Sequence, residues 1–167
     1  MIAPPEALVD LLKPWADFYG HSKVAATIVT FLHVGPLLIG GGFAVAADRS
    51  TLRALRAPAA QRAGHLTELA AVHRWVIGGL VVIVVSGLLL FAADIETFFG
   101  SWIYWLKMAL VAALLANGLS MTRAETALRA DASEQSAGWA TLRRSAQLSL
   151  FLWVVVAFLG VALVNIA

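Results

Sequence analysis

The chain contains no cysteine. That absence excludes disulfides, thiolate nucleophiles, cysteine-ligated iron–sulfur clusters and haem attached covalently through C-x-x-C-H. Charge is scarce as well. Of 167 residues, 13% are Asp, Glu, Lys or Arg and 60% are hydrophobic, against about 25% and 45–50% in soluble domains. Also missing are G-x-S-x-G, a phosphate-binding loop, H-E-x-x-H and any pair of acids within an apolar run. The usual hydrolase, nucleotide and zinc-protease chemistries therefore have no starting point here. Any metal chemistry must rest on histidine, carboxylate, methionine or amine.

What is present in excess is apolar length. Four stretches, about 25–47, 75–93, 102–121 and 146–166, are each long enough, at about 20 residues, to cross a ~30 Å hydrocarbon layer. The expected fold is all-α and integral to a membrane: a four-span antiparallel helical bundle forming one domain over 1–167. The opening segment lacks a basic start and a small-residue cleavage site, so it does not read as a secretion signal. Leu8, Leu11, Leu12, Trp15, Phe18 and Tyr19 recur at helical spacing opposite Glu6, Asp10, Lys13 and Asp17. A short interfacial helix over about 5–19 follows, lying on the lipid surface, with Pro14 expected to bend or end it.

The nine arginines occupy two places. Arg49, Arg53, Arg56, Arg62 and Arg74 follow the first span, and Arg123, Arg129, Arg143 and Arg144 separate the third from the fourth. The connection between the second and third spans carries only Asp94 and Glu96, expected to flank a solvated external turn. The positive-inside rule then places both arginine loops in the cytoplasm and both termini on the periplasmic side of a bacterial inner membrane. Anchoring to anionic lipid accounts for these loops, whose few aromatics exclude nucleic acid as a partner. From Leu66 onward nothing breaks a helix, so the second helix is expected to begin before the membrane.

Small residues punctuate the spans: Gly40 to Gly42, Gly78, Gly79, Ser86, Gly87 and Gly118. In lipid, such residues let helix backbones approach closely, and Gly40 to Gly42 could also leave room beside a flat cofactor. Ionisable groups inside a span are costly and need a partner or a task. At ~1.5 Å per residue, His33 in TFLHVGPL lies roughly 12–15 Å inside the first span and Lys107 in YWLKMAL roughly 8–9 Å inside the third. Both belong to the same half of the bundle and could meet. The plainer readings are a histidine bonded to a main-chain carbonyl or Thr30, and a lysine snorkelling to the headgroups. His73, next to Arg74 and Trp75, opens the second span at the opposite end. It reads as an interfacial residue or a second cofactor contact, too far from His33 to share one iron. Asn117, in the inner half of the third span, could lie near the level of His73. His21 and His65 fall outside the spans and read as surface residues.

A span with one internal histidine, an arginine-rich loop, and a third span reading WIYWLKMALVAALLANG resemble the small four-helix membrane protoporphyrinogen IX oxidases. They are also similar to the membrane domain of copper-resistance D-type proteins. The oxidase resemblance implies a bound haem b, with His33 as iron ligand and Lys107 as second ligand or propionate partner. Here AVAADRSTLRA stands where that family carries an aromatic and basic cluster, so haem binding transfers more readily than protoporphyrinogen oxidation. Met108 and Met121 alone do not make the metal path implied by the copper-resistance comparison. The resulting expectation is a haem b-binding redox protein exchanging electrons with a quinone, a porphyrin or a membrane protein partner. The alternative is a non-enzymatic accessory or assembly subunit, in which His33 and Lys107 merely tie helices together. A small transporter is disfavoured because the spans hold too few polar groups to line a path.

Overall fold

A computed structural model of the chain describes residues 3–130 and 136–166, with the side chains at 59–61, 63, 67, 68, 70, 71, 73, 74 and 166 outside the description. It is built from helices α1 (Glu6–His21), α2 (Lys23–Ala54), α3 (Ala59–Ala93), α4 (Ile95–Gly100), α5 (Trp102–Ala130) and α6 (Ala137–Ile166). Four of them, α2, α3, α5 and α6, are long and apolar enough to cross a bilayer. The protein is a multi-pass, all-α membrane bundle.

The helices outrun the apolar stretches that identify them. At ~1.5 Å per residue, the 32 residues of α2 cover ~48 Å, well beyond a ~30 Å hydrocarbon core. Its last turns therefore carry Asp48, Arg49 and Arg53 past the apolar layer as continuous helix. The third and fourth spans are likewise helical from 102 to 130 and from 137 onward. The second helix begins at Ala59, ahead of its apolar run, as expected. The end of the bundle where these extensions gather is the arginine end; α1 and α4 occupy the opposite end.

α1 differs from expectation at Pro14, which neither ends nor interrupts it. Proline there deprives the Asp10 carbonyl of its intrahelical donor. Both residues are exposed, so that carbonyl can turn to solvent or headgroups. The helix also packs against the bundle: Trp15 Nε1 donates to the Leu89 carbonyl at 2.8 Å, and the Tyr19 and Thr30 hydroxyls lie 3.4 Å apart. Ser22 ends α1 and caps α2, its hydroxyl accepting from the Ala25 amide. The α3–α5 connection is more ordered than a simple turn. Asp94 caps α4 by accepting from the Thr97 amide at 3.3 Å, and both Asp94 and Glu96 are exposed, as expected.

α2 packs most extensively on α3, α5 on α6, and α2 on α6, while α3 and α5 touch more sparsely. A close backbone approach joins α2 to α3. A Cβ built on Gly79 would lie 3.6 Å from both Gly40 Cα and the Pro36 carbonyl oxygen. Gly41 instead faces the Trp153 ring of α6. Gly42, Gly78 and Gly118 meet nothing within 4 Å, so close packing accounts for only some of the span glycines. Three apolar layers fill the interior. Leu66, Leu69, Met121, Leu128, Trp139 and Leu142 lie at the arginine end. Val76, Leu114, Leu152 and Trp153 lie mid-bundle, and Ile103, Leu159 and Leu163 at the opposite end.

Candidate functional site

Pro36 creates the site. Lacking an N–H, it leaves the Leu32 carbonyl of α2 without its usual intrahelical donor. Inside hydrocarbon such a carbonyl needs a partner from another helix. Ser86 of α3, only 2% exposed, places its hydroxyl 3.3 Å from Leu32 O. The same hydroxyl lies 2.6 Å from Val82 O and 3.1 Å from Ile83 O, so its single proton is shared among carbonyls of both helices.

His33 completes the cluster. Its Nδ1 lies 3.1 Å from Ile83 O and 3.2 Å from Ser86 Oγ. A carbonyl can only accept, so Nδ1 carries a proton, and in the neutral ring Nε2 is then a bare lone pair. Among the described residues no protein group engages Nε2. The ring fits because α3 has no side chain opposite it: a Cβ on Gly87 would come within 3.0 Å of His33 Cε1. Of the plainer readings, the bond to a main-chain carbonyl is therefore present, and Thr30 is turned to Tyr19 instead.

Lys107 lies across the bundle from this cluster. Its Nζ is 3.6 Å from the position a Cβ on Gly160 of α6 would take. It is partly buried, and the His33 ring and the Lys107 ammonium fall within electrostatic range of one another. Among the described residues Lys107 has no hydrogen bond or ion pair. One layer thus receives an ionisable side chain from α2 and from α5, each set against a glycine of a neighbouring helix. His33 and Lys107 share one half of the bundle, each against its own glycine, and among the described residues no hydrogen bond joins them. The layer is bounded by Tyr104, which stacks on Phe91 at 4.9 Å, and by the mid-bundle apolar layer. The side chain of His73 lies outside the described residues.

The arginine end holds a second polar cluster that the sequence reading missed. His65 is buried, 9% exposed, and is not a surface residue. Its Nε2 lies 3.0 Å from the Thr51 hydroxyl, which is fully buried. The extended α2 and α3 face one another here, and the apolar layer around Leu66 and Leu69 closes over the pair. Asp48 and Glu125 are each 3% exposed at the same end. Arg129 donates to Leu66 O at 2.6 Å and lies 4.0 Å from Glu125, linking α5 to α3. Asn117 donates to the Ser145 carbonyl at 2.9 Å, joining α5 to α6. His21 is exposed, as expected.

Among the described residues no group of three or more His, Asp or Glu side chains could hold a metal ion on its own. Metal binding at this layer therefore reduces to what one imidazole and one amine can offer a metal already held by another scaffold. Architecture defines the class: a four-span helical membrane protein with a histidine–lysine layer inside it. Comparison with family models, curated proteins and solved structures finds no match to the chain.

Proposed function

We propose that the protein is a haem b-binding redox protein of the bacterial inner membrane, with His33 Nε2 as the iron ligand. The single observation that supports this is the state of the ring. Nδ1 is committed to a main-chain carbonyl and a hydroxyl, and Nε2 is left as a lone pair. Metal-ligating histidines characteristically donate their other N–H to such a carbonyl, which fixes the tautomer and aims the ring. The donor chemistry therefore fits an iron ligand. The contact of Gly40 with Gly79 leaves no space for a macrocycle between α2 and α3 at that level. Lys107 supplies the only unpaired positive charge described in the same layer and would serve either as a second iron ligand or as the partner of a propionate. A bound haem would supply one-electron chemistry. The chain's own task is to hold the ligand in one tautomer, exclude water and neutralise a carboxylate. The positive-inside rule puts the layer in the periplasmic half, with a quinone or a membrane protein as electron partner.

The test is an optical spectrum of the protein purified in detergent after haem-supplemented expression. A Soret band that His33→Ala abolishes or shifts is expected; a colourless protein ends the proposal. One observation favours a second reading, a non-enzymatic accessory subunit. The His33 and Ser86 bonds already tie α2 to α3, which is a sufficient structural role. That reading predicts a colourless protein that co-purifies with a larger membrane complex.

A further inference from the structure

The arginine end carries a groove of about 380 Å³ where the ends of α2, α3 and α6 meet. Its floor is apolar, formed by Leu52, Leu55 and Trp139, and Arg56, Arg62 and Arg143 stand around it. Arg62 is held in place: its Nε donates to Ala57 O at 2.8 Å and its guanidinium sits 5.8 Å from the centre of the Trp139 ring. Arg56 and Arg143 are exposed, and among the described residues neither side chain has a carboxylate or any other hydrogen-bond partner.

Three guanidinium groups around one apolar-floored groove repel each other unless an anion lies between them. Guanidinium is planar and presents paired donors that match phosphate oxygens. The groove also sits where the apolar spans give way to charged helix ends, the level of lipid headgroups. We propose that this groove binds the phosphate of an anionic phospholipid, with Arg56, Arg62 and Arg143 around the headgroup and the lipid's apolar portion over Leu52, Leu55 and Trp139. Basic pockets between transmembrane helices recognise acidic headgroups in this manner. A guanidinium already fixed over an indole loses less freedom on binding than one moving in solvent. The charges thus make a defined site as well as a diffuse attraction, and the site stands independently of any haem.

Native mass spectrometry of the full chain in a non-ionic detergent, titrated with phosphatidylglycerol or phosphatidylcholine, tests this. One phosphatidylglycerol is expected to be retained in preference to phosphatidylcholine. Arg56→Gln combined with Arg143→Gln is expected to weaken that binding roughly thirtyfold. Arg123→Gln removes a charge from the same end but from a different groove, and is expected to leave the retained lipid unchanged. Equal losses in both variants would reduce the site to general electrostatics and overturn the proposal. So would equal retention of the two lipids. Displacement of the lipid by millimolar inorganic phosphate would show a site for the free ion and overturn the lipid assignment.

Discussion

Gly87→Ala offers the most direct test of how His33 is seated. A new Cβ would lie 3.0 Å from His33 Cε1, well inside ordinary contact. The ring cannot simply retreat, because Nδ1 is bonded to Ile83 O and Ser86 Oγ. Overpacking of this kind costs about 1–3 kcal/mol. If the ring instead gives up its bond, an interhelical hydrogen bond in a membrane protein is worth about 0.6 kcal/mol on average and at most about 1.7. Alanine also gains about 1 kcal/mol of helix propensity over glycine, which could mask the loss. Gly78→Ala corrects for that gain, since it lies on the same helix with nothing within 4 Å of its Cβ position. The propensity term cancels between the two variants, leaving Gly87→Ala about 1–2 kcal/mol less stable than Gly78→Ala. Reversible unfolding by SDS in mixed micelles reads this difference. Introducing both alanines again in a His33→Ala background should abolish it, because the clash is with the ring. If Gly87→Ala were as stable as Gly78→Ala in the native background, the described seat of His33 would be wrong.

The remaining outcomes concern contacts elsewhere. Gly138→Ala would place its Cβ 2.7 Å from Cγ and 2.9 Å from Cδ2 of Leu128, a fully buried side chain, and should cost about 1–3 kcal/mol in the same unfolding assay. Thr51→Val removes the hydroxyl that meets His65 Nε2 and should cost about 1–3 kcal/mol. Thr51→Ser keeps the hydroxyl and should lose only about 0.8 kcal/mol for the missing methyl; equal losses would show that packing alone holds the pair. Trp15→Phe releases α1 from the Leu89 carbonyl. Amide exchange in α1 should quicken about fivefold, with the spanning helices unaffected.

Hydropathy located the spans well because a lipid-facing surface must be apolar whatever lies behind it. Much of the large apolar inventory points outward: Leu38 is 70% exposed, Val154 67% and Val164 83%. The same signal could not mark where helices end, since continuing a helix past the hydrocarbon needs only helix-permissive residues, charged or not. α2 shows this. Ala44, Ala47 and Thr51 continue the face of His33, Leu37 and Gly40 at heptad spacing, across the point where Asp48 and Arg49 end the apolar run. Followed by spacing, that face runs to Thr51 and asks what it packs against. Followed by hydropathy, it stops at Ala47, and His65 on the opposing helix is left looking like a surface residue.

The histidine–lysine layer was legible for a related reason, and its other half was not. Depth along a helix follows from counting residues, so the common level of His33 and Lys107 could be worked out in advance. Facing partners on other helices cannot be counted. By composition Ser86 reads only as a small residue, although Pro36 announces an orphaned carbonyl four residues earlier that must be satisfied from outside its own helix. The second span offers a hydroxyl at Ser86, beside Gly87, and that pair both supplies the missing donor and clears space for the imidazole. The proline, the serine and the glycine are therefore a single device spread over two helices. A substitution that restored an amide at position 36 would relieve Ser86 of Leu32 while leaving its contact with His33. Ser86→Ala orphans the Leu32 carbonyl and leaves His33 Nδ1 on the Ile83 carbonyl alone. Pro36→Ala added to it should recover part of the lost stability in the same unfolding assay, by returning an amide donor to Leu32, and no recovery would refute the pairing of proline with serine.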